Sequence, residues 1–371
     1  MGLTSNPYKR SPLFACLCSL LLLEQALPLF LSPLTALVSS PLLRADAWEC
    51  EGHMLVAEIA FHHVSSENQQ KLNHLVQTFH ESGPFPLSPS FVEFACWSDD
   101  LKMWHQYSMS AWHYIDLPLV LNGSLPRGKE GGPPSSPDAY TSPASLTHAL
   151  LTDIIPSVPK PHVISSIRDM LTALKNTNST TKTKIPLFHY QFALFHLVHF
   201  IGDAHQPLHC ATLYSDRFPD GDHGGNLFHV FYHGKEVKLH AVWDDLCRLA
   251  EPRPHDDKDR RRLTKHTLHR PLSPEEYDTY IRQVSEELED AYKIDEESLI
   301  KEKNVELYAA ESYQYAMNTT YAGLRPGDEL TEDYLERCRH TTEKRIVLAG
   351  RRLAYWLNTL LEDMDVSQNS T

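Results

Sequence analysis

The stretch that decides the fold is residues 199–209, which read His-Phe-Ile-Gly-Asp-Ala-His-Gln-Pro-Leu-His. It closes an apolar segment, 186–201, whose apolar residues recur three or four positions apart, a spacing that predicts a helix. Residues four apart share one helix face, so the imidazole of His199 and the carboxylate of Asp203 can reach the same metal ion. We expect Pro207 to end the helix nearby and to return His209 toward that face.

A second pair with the same spacing supports a metal site. His240 and Asp244 lie in the segment His-Ala-Val-Trp-Asp-Asp. One such pair is weak evidence, because it more often makes a surface hydrogen bond than a ligand set. Two pairs together with His209, set among Phe, Leu and Val where an unpaired polar group is costly, favour metal ligands.

Working outward, the dominant period along the chain is helical, and strand-like alternation is scarce. The segments with apolar residues three or four apart are 53–75, 91–104, 146–155, 163–174, 186–201, 241–249, 274–292, 305–321 and 332–364. Gly/Pro/Ser-rich or charged loops separate them at 128–145, 176–184, 215–225 and 251–271. Because candidate ligands lie on both sides of the first three loops, the pattern predicts one all-α domain over 48–371, without internal repeats.

The N-terminus predicts a secretory signal peptide over residues 1–47. Lys9 and Arg10 precede an apolar stretch centred on residues 13–23, and Ala45-Asp46-Ala47 is a small-x-small cleavage site. Cleavage there makes Trp48 the first residue of the mature protein.

The alternative for the same residues is a membrane anchor, since apolar residues resume over 27–43. Glu24 and the prolines at positions 28, 33 and 41 interrupt any single span. We therefore expect a mature protein that is soluble and enters the secretory pathway, either secreted or in the lumen of an endomembrane compartment.

The cysteines and glycosylation triplets fit that route. Five cysteines follow the predicted signal, an odd number that leaves at least one thiol unpaired in an oxidising compartment. Four Asn-x-Ser/Thr triplets make the protein a candidate glycoprotein, at Asn122, Asn178, Asn318 and Asn369. Spacing does not decide the disulfides, and the pairs Cys50 with Cys96 and Cys247 with Cys338 are guesses.

The charge of the chain limits how it can hold a polyanion. The formal net charge is −14, and because the first 47 residues carry three cations and two anions, the remainder stands at −15. A chain with this negative charge lacks the overall positive charge with which proteins commonly bind duplex DNA. A polyanionic substrate needs a local positive site, and bound metal ions are candidates because they are often the largest local charges. The 22 histidines make that source of charge plausible.

Three further segments carry candidate ligands. They read Trp-Glu-Cys-Glu-Gly-His at 48–53, Ala-Cys-Trp-Ser-Asp-Asp-Leu-Lys at 95–102 and Ala-Trp-His-Tyr-Ile-Asp at 111–116. Singly, each has an ordinary interpretation as a helix start, a cap or a core histidine. The first becomes more specific because the predicted cleavage gives Trp48 a free α-amine near His53.

Taken together, these motifs resemble the class I nucleases, the three-zinc nucleases of fungi, plants and trypanosomatids. The set W-x₃-G-H, C-W-S-D-D, W-H-Y-I-D, H-F-I-G-D-x₂-Q-P-L-H, G-G-N and L-H-x₂-W-D runs in order over 48–244, and 353–358 resembles the final helix of the family. The sequences of residues 96–102 and 110–113 look most like the trypanosomatid 3′-nucleotidase/nuclease branch. The resemblance implies the all-α fold shared by these nucleases and zinc-dependent phospholipase C.

The resemblance also implies three Zn²⁺ ions per chain, each held by nitrogen and oxygen donors of the kind that zinc prefers. The first ion would be held by Asp99, His113, His199 and Asp203. The second would be held by the amine and carbonyl of Trp48, by His53 and by a bridging Asp203. The third would be held by His209, His240 and Asp244, with positions left open for water and phosphate.

The implied reaction is hydrolysis of a phosphate ester. Water between the first two zincs would ionise near neutrality and its hydroxide would attack phosphorus in line, while the third zinc stabilises the departing O3′. Cleavage of single-stranded DNA or RNA would leave 5′-phosphate ends, and 3′-nucleotides would lose their phosphate. The residues assigned to catalysis are Asp99, Lys102 and Asp203.

Base recognition is implied in the same way. Tyr114 would stack on the base, and Asp116 and Asn226 would hydrogen-bond to its edge. Stacking tolerates any base and a duplex hides the base faces, so single strands are preferred. We expect a monomer, because the sequence gives no sign of a stable protein partner.

Two positions depart from the family pattern. Lys102 stands where the family usually has arginine, which replaces a bidentate contact by a point charge and predicts slower catalysis on polymers. An insertion at 213–223 lengthens the spacing between His209 and the Gly-Gly-Asn segment that contains Asn226.

Two other functions compete with the nuclease. Zinc-dependent phospholipase C uses a similar three-zinc site, but the Gly-Gly-Asn segment, and Asp244 where the lipase has glutamate, favour the nuclease. A non-enzymatic, secreted zinc-binding glycoprotein predicts closed four-ligand sites, whereas the third site has only three protein ligands. The histidines not expected to bind metal include His62, His63, His105, His205, His223, His229 and His233.

Overall fold

The computed structural model describes residues 50–82, 90–103, 105–121, 142–177, 187–247, 274–295, 303–362 and 364. All of them belong to one compact unit of the chain, Arg44–Thr371. The predicted signal at 1–47 and Trp48 lie outside the described residues, so the leader, its cleavage and the bounds of the catalytic domain stay predictions. Asn122, Asn178 and Asn369 also lie outside them.

The first part of the described chain is helical, as the three-to-four-residue period predicts. Its helices are α1 (Cys50–His62), α2 (Ser66–Ser82), α3 (Phe91–Phe94), α4 (Trp97–Met103), α5 (Pro143–Ala149), α6 (Ile155–Ser157), α7 (Val163–Thr177) and α8 (Leu187–Asp203). Two 3₁₀ turns, Tyr107–His113 and Pro207–His209, and a π-helical turn, Leu150–Ile154, complete the helical elements of this part. The fold is therefore mostly helical, and the predicted all-α class is confirmed.

Within the part of the chain that the structure describes, four short strands interrupt the helices. Strand β1 (Pro118–Val120) pairs in parallel with β2 (Thr212–Tyr214), and β3 (His229–Tyr232) pairs antiparallel with β4 (Lys235–Lys238). The β3–β4 hairpin turns at His233 and Gly234, whose φ angles of 46° and 70° suit a two-residue turn of the kind that matches strand twist.

The remaining elements are again helical. They are α9 (Leu239–Asp244), α10 (Pro274–Ala291), α11 (Glu306–Tyr315), a π-helical turn (Ala316–Thr320) and α12 (Glu332–Leu361). None of the described helices has the combination of length and apolarity that a membrane span requires. Thr331 caps the start of α12, where its side chain accepts a hydrogen bond from the backbone N–H of Tyr334 at 3.2 Å.

Two helices predicted as single are each divided in two. The segment 53–75 breaks after His62, and Ser65 starts α2 by accepting a hydrogen bond from the N–H of Asn68 at 3.2 Å. The segment 91–104 breaks at Ala95 and Cys96. The apolar spacing continues across both breaks, whereas the hydrogen bonds that end or cap a helix leave little trace in that spacing. Periodicity alone therefore missed both breaks.

Both guessed disulfides are present. Cys50 pairs with Cys96 and Cys247 pairs with Cys338, while Cys210 is a buried thiol outside any disulfide. The first bond joins the start of α1 to the break before α4, and the second joins the end of the α9 segment to α12. Two disulfides fit an oxidising, secretory-type environment.

The two helices at the centre of the molecule are α1 and α8. Every residue from Glu51 to Ala60 in α1 is buried, as is every residue from Ala193 to Asp203 in α8. A helix that is buried on all sides packs against other elements around its whole circumference, which fixes its position in three dimensions. The start of α1 and the end of α8 therefore offer rigid places for functional side chains.

Helix α12 packs very closely on α1 at Gly350. A Cβ atom built on Gly350 would lie 2.6 Å from Ile59 Cγ2 and 3.0 Å from the carbonyl oxygen of Val56. The glycine is thus required by the approach of the two helices and not by an unusual backbone angle.

The substitution Gly350→Ala tests this packing, because close packing and helix propensity predict opposite changes in the free energy of unfolding. Helix propensity alone would stabilise the variant by roughly 0.5–1 kcal/mol, but overpacking of the α1–α12 contact should lower its free energy of unfolding by about 1–3 kcal/mol. The measurement is the denaturant midpoint of the oxidised protein. The loss should shrink in an Ile59→Ala background, and stabilisation by Gly350→Ala would disprove the close contact.

Candidate metal centre

The carboxylate of Asp203, at the end of α8, lies at the centre of four imidazoles. Its Oδ1 is 3.4 Å from His53 Nε2 and 3.5 Å from His209 Nδ1. Its Oδ2 is 3.0 Å from His113 Nδ1 and 3.3 Å from His199 Nε2. Asp203 and all four histidines are at most 1% exposed. The two oxygens of one buried carboxylate thus face different histidines.

Asp99 and Lys102 from α4 lie beside this group. Asp99 Oδ1 is 3.4 Å from His113 Nδ1 and 3.6 Å from His199 Nε2, and Lys102 Nζ is 2.7 Å from the same oxygen. The three-residue separation on a helix brings Lys102 to the face that carries Asp99. The structure therefore places the two predicted catalytic residues of α4 directly against the Asp203 cluster.

A second group forms where the turn after α8 meets α9. His240 and Asp244 lie one turn apart, with His240 Nε2 3.1 Å from Asp244 Oδ2, and His209 Nε2 is 3.9 Å from Asp244 Oδ1. Gln206 Nε2 donates a hydrogen bond to Asp244 Oδ1 at 2.7 Å. This amide was not among the sequence-predicted site residues, although it belongs to the Q-P-L-H part of the motif.

Three of these histidines are oriented by backbone carbonyls. The Nδ1 of His199, His209 and His240 lies 2.6, 2.8 and 2.6 Å from the carbonyl oxygens of Ala95, His113 and Gly224. Because a carbonyl oxygen only accepts, each Nδ1 carries the proton and each Nε2 keeps a lone pair directed into its cluster. This is the arrangement that metal-binding histidines commonly have.

The break between α3 and α4 makes one of these carbonyls available. In an unbroken helix the carbonyl of Ala95 would accept from the N–H of Asp99, but that N–H instead bonds to Cys96 at 3.0 Å. The Ala95 carbonyl can then accept from His199 at 2.6 Å. The division of the predicted helix is thus part of how the site is built.

Burial governs the protonation of the site. Burial is the first cause that lowers the pKa of His199 to about 4, and it also lowers the pKa values of His113 and His209. Burial raises the pKa of Asp203 well above its ordinary value. Burial acts the same way on Asp99, but Lys102 and the neighbouring histidines outweigh it and hold that pKa well below its usual range.

The donor set fits metal ions. His199 Nε2 and Asp203 Oδ1 are buried and have no hydrogen-bond partner among the described residues. The described residues form three groups whose donor atoms lie within 4.8 Å of one another: His53, Asp99 and His199; His113, His199 and Asp203; and His209, His240 and Asp244. These groups contain every sequence-predicted ligand except Trp48, which lies outside the described residues. Neutral imidazoles around buried carboxylates are the donors that zinc prefers.

The seven histidines not expected to bind metal lie outside these three groups. His205 is buried but bonds to the carbonyl of Ile201 and to Arg352. His63 pairs with Glu289, and His62 Nδ1 is 3.6 Å from the same carboxylate.

The predicted base-binding residues occupy two places beside the clusters. Tyr114 follows His113, is half-buried, and has a pKa raised mainly by burial. Asp116 is exposed, and its Oδ1 accepts a hydrogen bond from the hydroxyl of Thr212. Asn226 is buried in the turn before β3, where its Nδ2 donates to the His223 carbonyl at 3.0 Å.

Two further side chains orient these base-binding candidates. Thr212 meets Asp116 because β1 and β2 pair side by side, and Lys238 Nζ lies 3.5 Å from Asn226 Oδ1. Neither residue belongs to a recognisable motif, so the sequence contained no signal for them.

The comparisons with known proteins agree with the fold and the clusters. The profile of the S1/P1 nuclease family matches residues 48–362, so the chain belongs to that family and is a hydrolase of phosphodiester bonds. The family is zinc-dependent, as the histidine and aspartate clusters lead one to expect.

Curated relatives come from Arabidopsis thaliana. Endonuclease 1 is 25% identical over 332 residues, covering 85% of this chain and 88% of the plant protein. Endonuclease 4 is 24% identical over 330 residues, covering 88% of this chain and 92% of its own length. Endonuclease 2 is 24% identical over 314 residues, covering 84% and 90%. The predicted family is confirmed.

The substitution Gly202→Ala tests whether the His53 ring packs directly against α8 at Gly202. A Cβ on Gly202 would lie 2.7 Å from His53 Nδ1 and 3.0 Å from its Cε1, so the ring must move away from Asp203. We expect a lower zinc content per chain and a lower unfolding temperature. In a His53→Ala background the same substitution should be neutral or stabilising by about 0.5–1 kcal/mol. Equal effects in both backgrounds would show that the ring is not the obstacle.

Proposed function

We propose that the protein is a zinc-dependent nuclease and nucleotidase that cuts single-stranded DNA and RNA, leaves 5′-phosphate ends, and removes the phosphate of 3′-nucleotides. One observation carries this proposal. In a chain of a nuclease family, both oxygens of the buried Asp203 face imidazoles, two on each side. A carboxylate in that position can bridge two ions.

We assign three zinc ions to the clusters. Asp203 would bridge the first two, the first completed by Asp99, His113 and His199 and the second by His53 and by the amine and carbonyl of Trp48. The third ion would be held by His209, His240 and Asp244, which leaves positions for water and substrate. Trp48 can act as a ligand only after cleavage behind Ala47, because an amide nitrogen has no lone pair for that bond.

Bound zinc would supply a water acidified to near neutrality for attack on phosphorus and positive charge for the departing oxygen. The protein residues position these partners. Lys102 Nζ lies 2.7 Å from Asp99 Oδ1, so Lys102 provides a buried cation beside the Asp203 cluster that would contact a phosphate oxygen. A lysine contacts phosphate as a point charge, whereas arginine forms a bidentate contact.

Recognition of the base would come from Tyr114, Asp116 and Asn226. Tyr114 directly follows the ligand His113, and Asn226 follows Gly224 and Gly225, whose backbone adjoins His240. Each candidate therefore lies next to a proposed metal ligand, Tyr114 beside His113 and Asn226 close to His240. Stacking on Tyr114 is available only to an unpaired base, which favours single strands and free nucleotides.

The setting of this activity is proposed to be extracellular or luminal. Residues 1–47 would act as a signal peptide, and residues 48–371 would form a monomeric catalytic domain that carries its disulfides into an oxidising compartment.

A substrate panel tests the proposed function. Mature protein loaded with zinc should hydrolyse denatured DNA, RNA and 3′-AMP, act on duplex DNA at least ten times more slowly, and lose activity with a chelator. Rates on each substrate and the identity of the new ends are the measurements. Hydrolysis of phosphatidylcholine without DNA cleavage would replace the nuclease by a lipase, and zinc binding without any hydrolysis would support a binding glycoprotein.

Asp203→Asn tests the bridging role. The neutral amide removes charge shared by two ions, so the variant should lose more zinc than any other single ligand substitution and about 100-fold or more of its activity. Metal analysis and turnover of denatured DNA are the measurements, with three zincs per chain expected for the wild type.

The matched control is Asp222→Asn, since Asp222 is also fully buried but accepts from the N–H of Leu213 and the hydroxyl of Tyr321 and belongs to none of the three donor groups. This control should keep three zincs. Near-normal turnover and zinc content in Asp203→Asn would refute the assignment.

A further inference from the structure

The turn Ala204–Gln206 connects the two halves of the candidate metal centre. It leaves Asp203 at the end of α8 and leads into the 3₁₀ turn Pro207–His209. Its last residue, Gln206, also holds Asp244 at 2.7 Å. The placement of the His209 cluster relative to Asp203 therefore depends on the conformation of this short turn.

Residues of helices α11 and α12 hydrogen-bond to that turn. The Ser312 hydroxyl donates to the Ala204 carbonyl at 2.7 Å, and Arg345 Nε donates to the His205 carbonyl at 3.1 Å. Arg352 Nη1 donates to His205 Nε2 at 2.9 Å, while His205 Nδ1 donates back to Ile201 at 2.7 Å. The backbone and side chain of the turn are thus both fixed by residues remote in sequence.

A partly exposed glutamate organises the two arginines. Glu311 accepts from Arg345 Nη1 at 2.6 Å and from both terminal nitrogens of Arg352, at 2.8 and 2.7 Å. Arg345 also donates through Nη2 to Ser312 at 2.8 Å and to the Tyr308 carbonyl at 3.2 Å. The arginines are only 1% and 4% exposed, so their charges depend on this carboxylate.

The geometry of the arginines explains why two of them are used. Each guanidinium is a planar fork that bonds to Glu311 and to the turn at the same time, which a lysine ammonium cannot do from one position. Burial acts to raise the pKa of Glu311, but hydrogen bonds and charge from Arg352 and Arg345 lower it to about 2, so the carboxylate stays ionised. The network is therefore intact throughout the neutral range.

We propose that Arg345 and Arg352, aligned by Glu311, are positioning residues that set the separation of Asp203 from the His209–His240–Asp244 cluster and thereby the zinc affinity of that cluster. This inference rests on the proposed function, because it concerns the third zinc of that assignment. The first two ions depend less on the turn, since their ligands Asp203 and His199 belong to the buried helix α8. Loosening of the turn should act on the third ion alone.

The experiment compares Arg345→Lys and Arg352→Lys with a control, Arg351→Lys, on the same helix. Arg351 contacts His63 at 2.9 Å, just after α1, and Glu289 of α10 at 3.7 Å. Zinc retention under a chelator titration, kcat and KM for 3′-AMP at low and high zinc, and the unfolding temperature of the zinc-free protein are measured for each.

We expect Arg345→Lys and Arg352→Lys to lose one zinc at about tenfold lower chelator concentration, in line with the effect of residues that orient metal ligands. Their kcat should fall at low zinc and recover with excess zinc, with KM little changed. Arg351→Lys should titrate like the wild type. Should either lysine variant fail to fold, Ser312→Ala removes one bond to the turn and should show a smaller shift of the same kind.

Chelator curves that match the wild type while the zinc-free unfolding temperature falls would overturn the inference, because the network would then be only structural. A kcat that excess zinc does not restore would also overturn it. A wild-type protein that binds no zinc would instead overturn the proposed function, which separates the two failures.

Discussion

The constraint on which the rest of the structure depends is a carboxylate, Asp203, buried completely among imidazoles. Removing a charge from water is costly, and burial accordingly raises the pKa of Asp203. The histidines around it cannot compensate as cations, since burial keeps His199 neutral with a pKa of about 4. A metal cation bound to the carboxylate and to the neutral imidazoles would offset the buried negative charge and use the lone pairs of the rings.

The proposed metal-binding side chains lie on rigid, buried parts of the fold. His53 lies in the first turn of α1, within the buried stretch from Glu51 to Ala60, and His199 and Asp203 lie at the end of α8, within the buried stretch from Ala193 to Asp203. Backbone carbonyls released by irregular structure then orient the rings, such as Ala95 at a helix break and Gly224 in a turn. Because those carbonyls belong to the fold and not to mobile side chains, the ring orientations are set before any ion arrives.

In a nuclease with a negative net charge, the positive charge that attracts the phosphate has to be local to the reaction site. The chain carries a net charge of −14, so long-range attraction of nucleic acid is weak, in contrast with proteins that hold duplexes through basic surfaces. Lys102, held at 2.7 Å from Asp99, adds one local cation beside the clusters. Under the proposed function, an accessible base and a phosphate that reaches the metal would select the substrate.

The sequence by itself determined the family, the mostly helical fold and a set of ligand candidates that the structure gathers into three groups, Trp48 aside. These follow from local regularities, such as the four-residue spacing of His199 with Asp203 and of His240 with Asp244 on one helix face. Only the tertiary structure decided the helix breaks after His62 and at Ala95. It also decided the contacts of Thr212 and Lys238 and the hydrogen bonds of Arg345 and Arg352 to the turn Ala204–Gln206. The contacts of Thr212, Arg345 and Arg352 join residues 96, 140 and 147 positions apart, and no local period encodes which distant carbonyl or side chain a residue will meet.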